Sequence, residues 1–81
     1  MKAKIYVTLK RTVLDPQGQT IQRALASMGH PEISEVRQGK FFEVELGDEV
    51  SEEAAQTLLD QVAQDVLANP VIEDYRVDLA D

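Results

Sequence analysis

Eighty-one residues allow one domain, and residues 1–81 are expected to form it. At 43% apolar and 28% charged the composition is that of a soluble globular chain, and no apolar run approaches the roughly 18 residues of a membrane span. A net charge of −7 argues against non-specific binding to nucleic acid or to an anionic membrane, and the lack of cysteine excludes disulfides, thiolate nucleophiles and thiolate metal sites.

The start, Met1-Lys2-Ala3-Lys4, leads into a strand pattern and not into an apolar signal core, so a cytoplasmic protein is expected. Lys4-Ile5-Tyr6-Val7-Thr8-Leu9 has the two-residue period of a strand, with Ile5, Val7 and Leu9 on one face. Lys10 to Leu14 form a connection. Asp15-Pro16 starts a helix: Asp15 accepts from free N–H groups as the N-cap, and Pro16 suits a position that needs no N–H. Ile21, Ala24, Leu25 and Met28 follow at helical spacing, and Gly29 and His30-Pro31 end the helix. Residues 33–37 and 40–46 read as extended. Gln38-Gly39 between them makes a β-hairpin, one long bent strand being the alternative. Ser51 caps a second helix whose first turn carries Glu52 and Glu53, and Ala55, Leu58, Leu59, Val62, Val66 and Leu67 form its apolar stripe. Asn69-Pro70 ends it, and Tyr75, Val77 and Leu79 alternate in a last strand.

The order β-α-β-β-α-β, with single apolar stripes on the helices, predicts an α+β fold. It is a two-layer βαββαβ (ferredoxin-like) plan with two helices on one face of an antiparallel sheet, the first and third strands being central neighbours. Such a chain, if compact, has a radius of gyration of about 12 Å and a surface of roughly 5,000 Å². With Ile5, Val7, Leu9, Phe42, Val44 and Leu46 toward the helices, Tyr6 and Phe41 stand on the open face. Exposed apolar patches mark contacts, so a homodimer or sheet-to-partner packing is expected there. Residues 1–40 carry net charge +4 and residues 41–81 carry −11. Such asymmetry either orients partners or is neutralised as the chain folds back.

Chemistry is harder to find. His30 is the only histidine and has no ligand or orienting partner at a telling spacing. Ser27, Ser34 and Ser51 lack a nucleophile-elbow context. Glu43 and Glu45 fall on the outer sheet face, and there is no GxxxxGK[ST] or GxGxxG. Lys10-Arg11 and Arg37/Lys40 read as surface cations more readily than as anion contacts. Gly18 is the unexplained residue. Glycine in an early helical turn costs roughly 1 kcal/mol relative to alanine, so it must allow a close backbone approach, either inside the chain or at a docking loop. A docking role predicts that Gly18→Glu disrupts assembly and spares the helices.

Val7-Thr8-Leu9-Lys10, then Val13-Leu14-Asp15-Pro16-Gln17-Gly18, Ala24-Leu25 and Met28-Gly29, resemble the opening of the PurS family, the small subunits of phosphoribosylformylglycinamidine synthase. Val36-Arg37-Gln38-Gly39-Lys40 and Leu67-Ala68-Asn69-Pro70-Val71-Ile72-Glu73-Asp74-Tyr75 resemble its middle and end. The resemblance implies a non-catalytic subunit of purine biosynthesis. In that complex a large synthetase subunit (PurL type) amidates formylglycinamide ribonucleotide with ATP, magnesium and ammonia, and a glutaminase subunit (PurQ type) makes the ammonia. The small subunit bridges the two and binds no cofactor or metal itself. It forms a dimer, or a tetramer when isolated. Candidate contact residues are then Tyr6, Val13, Leu14, Asp15, Gln17, Gly18, Arg37, Lys40 and Phe41. Two other classes share the βαββαβ plan: an ACT-type small-molecule sensor and an acylphosphatase-like hydrolase. This chain lacks the hydrolase's glycine-rich, arginine-bearing phosphate loop.

Overall fold

In the computed structural model, which describes residues 1–80, the alternating start becomes strand β1 (Lys2–Leu9). Helix α1 (Pro16–Ser27), strand β2 (Gly39–Glu45), helix α2 (Glu52–Val62) and strand β3 (Glu73–Ala80) follow. The sheet is antiparallel in the order β2-β1-β3. Its register sets Tyr6 opposite Phe41 and Arg76, and Lys4 opposite Glu43 and Asp78. The α+β class, the antiparallel sheet with two helices, and the adjacency of the first strand to the 40–46 strand are as expected.

The core lies under α2. Ala3, Ile5 and Val7 of β1 are buried against Leu59, Ala63 and Ala68, with Phe42, Val44, Tyr75, Val77 and Leu79 packed around them. Burying one such aliphatic side chain contributes about 1.5–3 kcal/mol. Leu58 and Val66, expected in this stripe, stand in solvent. Leu58 lies on the outer side of the regular helix, beside buried Leu59; for Val66 the reason is a widening of the helix. Ala63–Leu67 form a π turn, closed by the Ala68 N–H donating to the Ala63 carbonyl (2.8 Å). One extra residue in that turn carries the line Ala55, Leu59, Ala63 on to Ala68 and leaves Val66 outside.

Two expectations are overturned. Residues 33–37 form no strand, so there is no hairpin at Gln38-Gly39 and the sheet has three strands. Gly39 does not take a positive φ; Gly29 does, at 98°. Gly39 instead opens β2, where an added Cβ would sit 2.5 Å from the Val7 carbonyl oxygen. The second difference concerns α1. Of its 12 residues only Gly18 is buried, and it packs beside the returning segment 33–38, beyond the end of the sheet. The α1 arm draws the molecule out to 51 Å, with a radius of gyration of 16.1 Å.

The helix ends follow their residues closely. Asp15 accepts from the Gly18 N–H (2.9 Å), and Ser51 Oγ accepts from the Ala54 N–H (3.1 Å). At the other end of α1, Gly29 N–H donates to the Ala26 carbonyl and His30 N–H to the Leu25 carbonyl. This is the paired closure for which left-handed glycine is the usual residue.

Candidate functional site

The site divides into a clasp that holds the α1 arm and an open sheet face. The clasp is built by Asp15, Gly18 and Arg37. Asp15 caps α1 through Oδ1, while its Oδ2 accepts from the Gln38 N–H at 2.7 Å, so one carboxylate joins the helix start to the strand that follows. These two backbone donors, Gln38's foremost, hold its pKa below the ordinary 3.8; nearby Arg37 adds to this and burial opposes it. Arg37 Nη2 donates to the carbonyls of Lys10 (2.9 Å), Val13 (3.0 Å) and Leu9 (3.5 Å). Gly18 lies against the Val36 main chain, where an added Cβ would overlap the carbonyl oxygen and stand 2.9 Å from its carbon.

Gly18 serves packing inside the chain, against the Val36 main chain. Asp15 and Arg37, also named as contact residues, are likewise turned into the chain. The expectation that Gly18→Glu would spare the fold is therefore withdrawn: no side chain at that position can avoid a main-chain oxygen. Val13 is half-buried in the same corner, and its carbonyl is one of Arg37's acceptors. Leu14 and Gln17 are exposed on the arm's outer side.

On the open face Tyr6 and Phe41 meet as expected, ring centroids 5.2 Å apart and tilted by 31°. The sequence reading missed Arg76, whose guanidinium lies 4.5 Å from the centre of the Tyr6 ring. It comes from β3, 70 positions away in the chain, and only the register reveals it. Around this pair the face is charged. Lys2 and Lys4 run down the middle strand, with Glu43, Glu45 and Asp78 beside them. Phe41 remains 50% exposed.

Of the four cations considered as anion contacts, Arg37 is taken up by backbone carbonyls and the other three have carboxylate neighbours. Lys10 bonds Asp74 (2.9 Å), Arg11 bonds Glu35 (3.2 Å), and Lys40 stands 3.9 Å from Glu73. His30 is exposed, 3.7 Å from the Glu32 carboxylate. Among the described residues no group of three or more His, Asp or Glu side chains is placed to hold a metal ion, and no buried side-chain nitrogen or oxygen lacks a partner. No described helix is long and apolar enough to cross a membrane. A groove of 260 Å³ beside α1 is open and lined mainly by polar side chains such as Gln19, Gln22 and Arg23.

Fold and site thus define a small α+β chain whose distinctive features are surfaces: an aromatic-centred sheet face and a protruding helix. The PurS family model, described as phosphoribosylformylglycinamidine (FGAM) synthase, matches residues 2–81. The PurS subunit of FGAM synthase from Bacillus subtilis is 45% identical over 78 residues, which is 96% of this chain and 90% of that one. A Bacillus subtilis PurS structure superposes with a TM-score of 0.86 at 42% identity, covering 99% of this chain and 98% of the other. A chain of the Thermotoga maritima PurLQS structure does so at 0.85 and 32% identity, covering 95% and 93%. The chain belongs to the PurS family. These likenesses favour PurS over the ACT-type sensor.

Proposed function

We propose that this chain is the small, non-catalytic subunit of phosphoribosylformylglycinamidine synthase in purine biosynthesis. The observation that carries this is the near-full-length likeness to a chain of a PurLQS structure. On this reading it works in the cytoplasm beside a PurL-type synthetase and a PurQ-type glutaminase. The synthetase handles ATP and magnesium.

Its contribution is geometric. Ammonia released into water is diluted, and near neutral pH most of it is ammonium, which has no lone pair with which to attack. A subunit that holds the glutaminase and the synthetase at fixed separation keeps the local ammonia concentration high, as any tethered pair does. The surfaces suited to this are those the fold leaves uncovered: the sheet face centred on Tyr6 and Phe41, and the arm that begins at Leu14 and Gln17. In the same reading the chain associates with a second copy.

Size-exclusion chromatography of the three subunits tests it. A peak containing all three is expected with this chain present, and separate synthetase and glutaminase peaks without it. A synthetase–glutaminase complex of unchanged stability in its absence refutes the bridging role.

A further inference from the structure

We infer that the groove between α1 and the returning segment 33–37 is a binding site for a small phosphate monoester, held by Arg23 and Arg37. The inference goes beyond the assembly role and does not depend on it. The groove has a volume of 260 Å³. Gln19, Gln22 and Arg23 of α1 wall one side, and Ser34 to Arg37 wall the other. Sites for drug-sized ligands run upward from about 300 Å³, so this one suits a molecule the size of a triose or pentose phosphate and not a dinucleotide.

The first support is Arg37. Its Nη2 is fixed on the Leu9, Lys10 and Val13 carbonyls, while Nε and Nη1 donate to nothing among the described residues. A guanidinium is a rigid planar fork, so anchoring one nitrogen sets the direction of the others before any ligand arrives. The second support is Arg23. It is the one cation of α1, a helix without carboxylates, and among the described residues it forms no hydrogen bond or ion pair. By contrast, Lys10, Arg11, Lys40 and Arg76 each have a carboxylate at hand, and Lys2 and Lys4 stand opposite Glu45 and Glu43. Asp15 and Glu35 also line the groove, but both are engaged. Asp15 accepts from the Gly18 and Gln38 N–H groups, and Glu35 is bonded to Arg11. The charge left over is that of the Arg23 and Arg37 guanidiniums.

The third support is the main chain. Segment 33–37 joins neither helix nor sheet, and the N–H groups of Ser34, Glu35, Val36 and Arg37 donate to nothing among the described residues. Gln22 Nε2 donates to the Ile33 carbonyl (3.1 Å), which ties the segment to α1 and sets the width of the groove. Donors of several kinds therefore converge: two guanidiniums, main-chain N–H groups and the Ser34 hydroxyl. A phosphate monoester offers three terminal acceptor oxygens and can engage more than one of these at once. A carboxylate has two, which a single guanidinium fork satisfies.

Nuclear magnetic resonance titration of the full chain tests this, with inorganic phosphate, glycerol 3-phosphate, glycerol and acetate as probes at constant ionic strength. Glycerol 3-phosphate is expected to give saturable shifts at the Ser34–Arg37 amides and at Arg23 Nε–H, with a dissociation constant in the millimolar range or tighter. Inorganic phosphate is expected to move the same signals, acetate to bind more weakly and glycerol not to bind. Arg23→Gln, at an exposed position outside the clasp, is expected to weaken the ester's binding about tenfold or more, as loss of a charge-assisted bond does. Arg76→Gln removes a cation from the sheet face and is expected to leave the constant unchanged. No saturation by the ester, acetate binding as tightly as the ester, shifts spread equally over the Lys2 and Lys4 strand, or an unchanged constant in Arg23→Gln overturns the inference. Binding of inorganic phosphate without the ester marks an adventitious ion only and overturns it too.

Discussion

Gly18→Ala sets two effects of opposite sign against each other. Helix propensity favours the substitution by about 1 kcal/mol, since alanine is the better helix former. Packing opposes it. The new Cβ would overlap the Val36 carbonyl oxygen and lie 2.9 Å from the carbonyl carbon and 3.0 Å from Asp15 Oδ2. The oxygen belongs to the main chain and cannot turn away. Relief requires the helix to move off segment 33–38, which strains the Asp15 bonds to Gly18 and Gln38 (2.9 and 2.7 Å). Overpacking of this kind costs about 1–3 kcal/mol, so the clash matches or exceeds the propensity gain, with a net loss of up to about 2 kcal/mol. Urea denaturation followed by circular dichroism reads this as a lower midpoint, by roughly 1 M when the slope is 1–2 kcal/mol per molar. A raised midpoint would mean that propensity acts unopposed and that α1 does not touch Val36.

Arg37→Met removes the donor shared by the Lys10, Val13 and Leu9 carbonyls and is expected to cost about 1–3 kcal/mol in the same assay; an unchanged midpoint means that water replaces it without loss. Ile5→Ala, at a side chain with no exposure in the central strand, is expected to cost about 2–5 kcal/mol, a large part of the 5–15 kcal/mol of a typical domain. The Asp15 carboxyl has a folded pKa below its ordinary 3.8. Its stabilisation is therefore complete above that value and is lost as pH falls through the lower folded value. Asp15→Asn should flatten the acid limb of a plot of thermal midpoint against pH, and an acid limb as steep as the wild type's would show that the clasp does not depend on the charge.

What could be read from the sequence was what depends on neighbours in the chain. Asp15-Pro16, Ser51 and Gly29 mark helix ends because capping and reversal act within four or five residues, and all three do so here. The period of β1 sorted Ile5 and Val7 from Tyr6 because strand geometry alone sends them to opposite faces. The unexpected features depend on distant partners. Segment 33–37 has the composition of a strand, but Asp15 and Arg37, bonded across 23 to 28 positions, tie its end to the β1–α1 connection. Gly18 raised a question that only Val36 answers, and Arg76 became part of the aromatic face through register alone. The stripe of α2 read correctly at Ala55 and Leu59 and failed at Leu58 and Val66, at Val66 because no local residue announces the π turn that shifts the phase.

The central claim, that this chain contributes placement and not reaction chemistry, is tested most directly by two rate measurements on the reconstituted enzyme. Amidation of formylglycinamide ribonucleotide is followed with glutamine or with added ammonium salt as nitrogen source, each with and without this chain. The expected result is that omission abolishes the glutamine-driven rate and leaves most of the ammonia-driven rate. Equal loss of both rates would mean that the chain acts on the synthetase reaction itself, and no loss of either would mean that it bridges nothing.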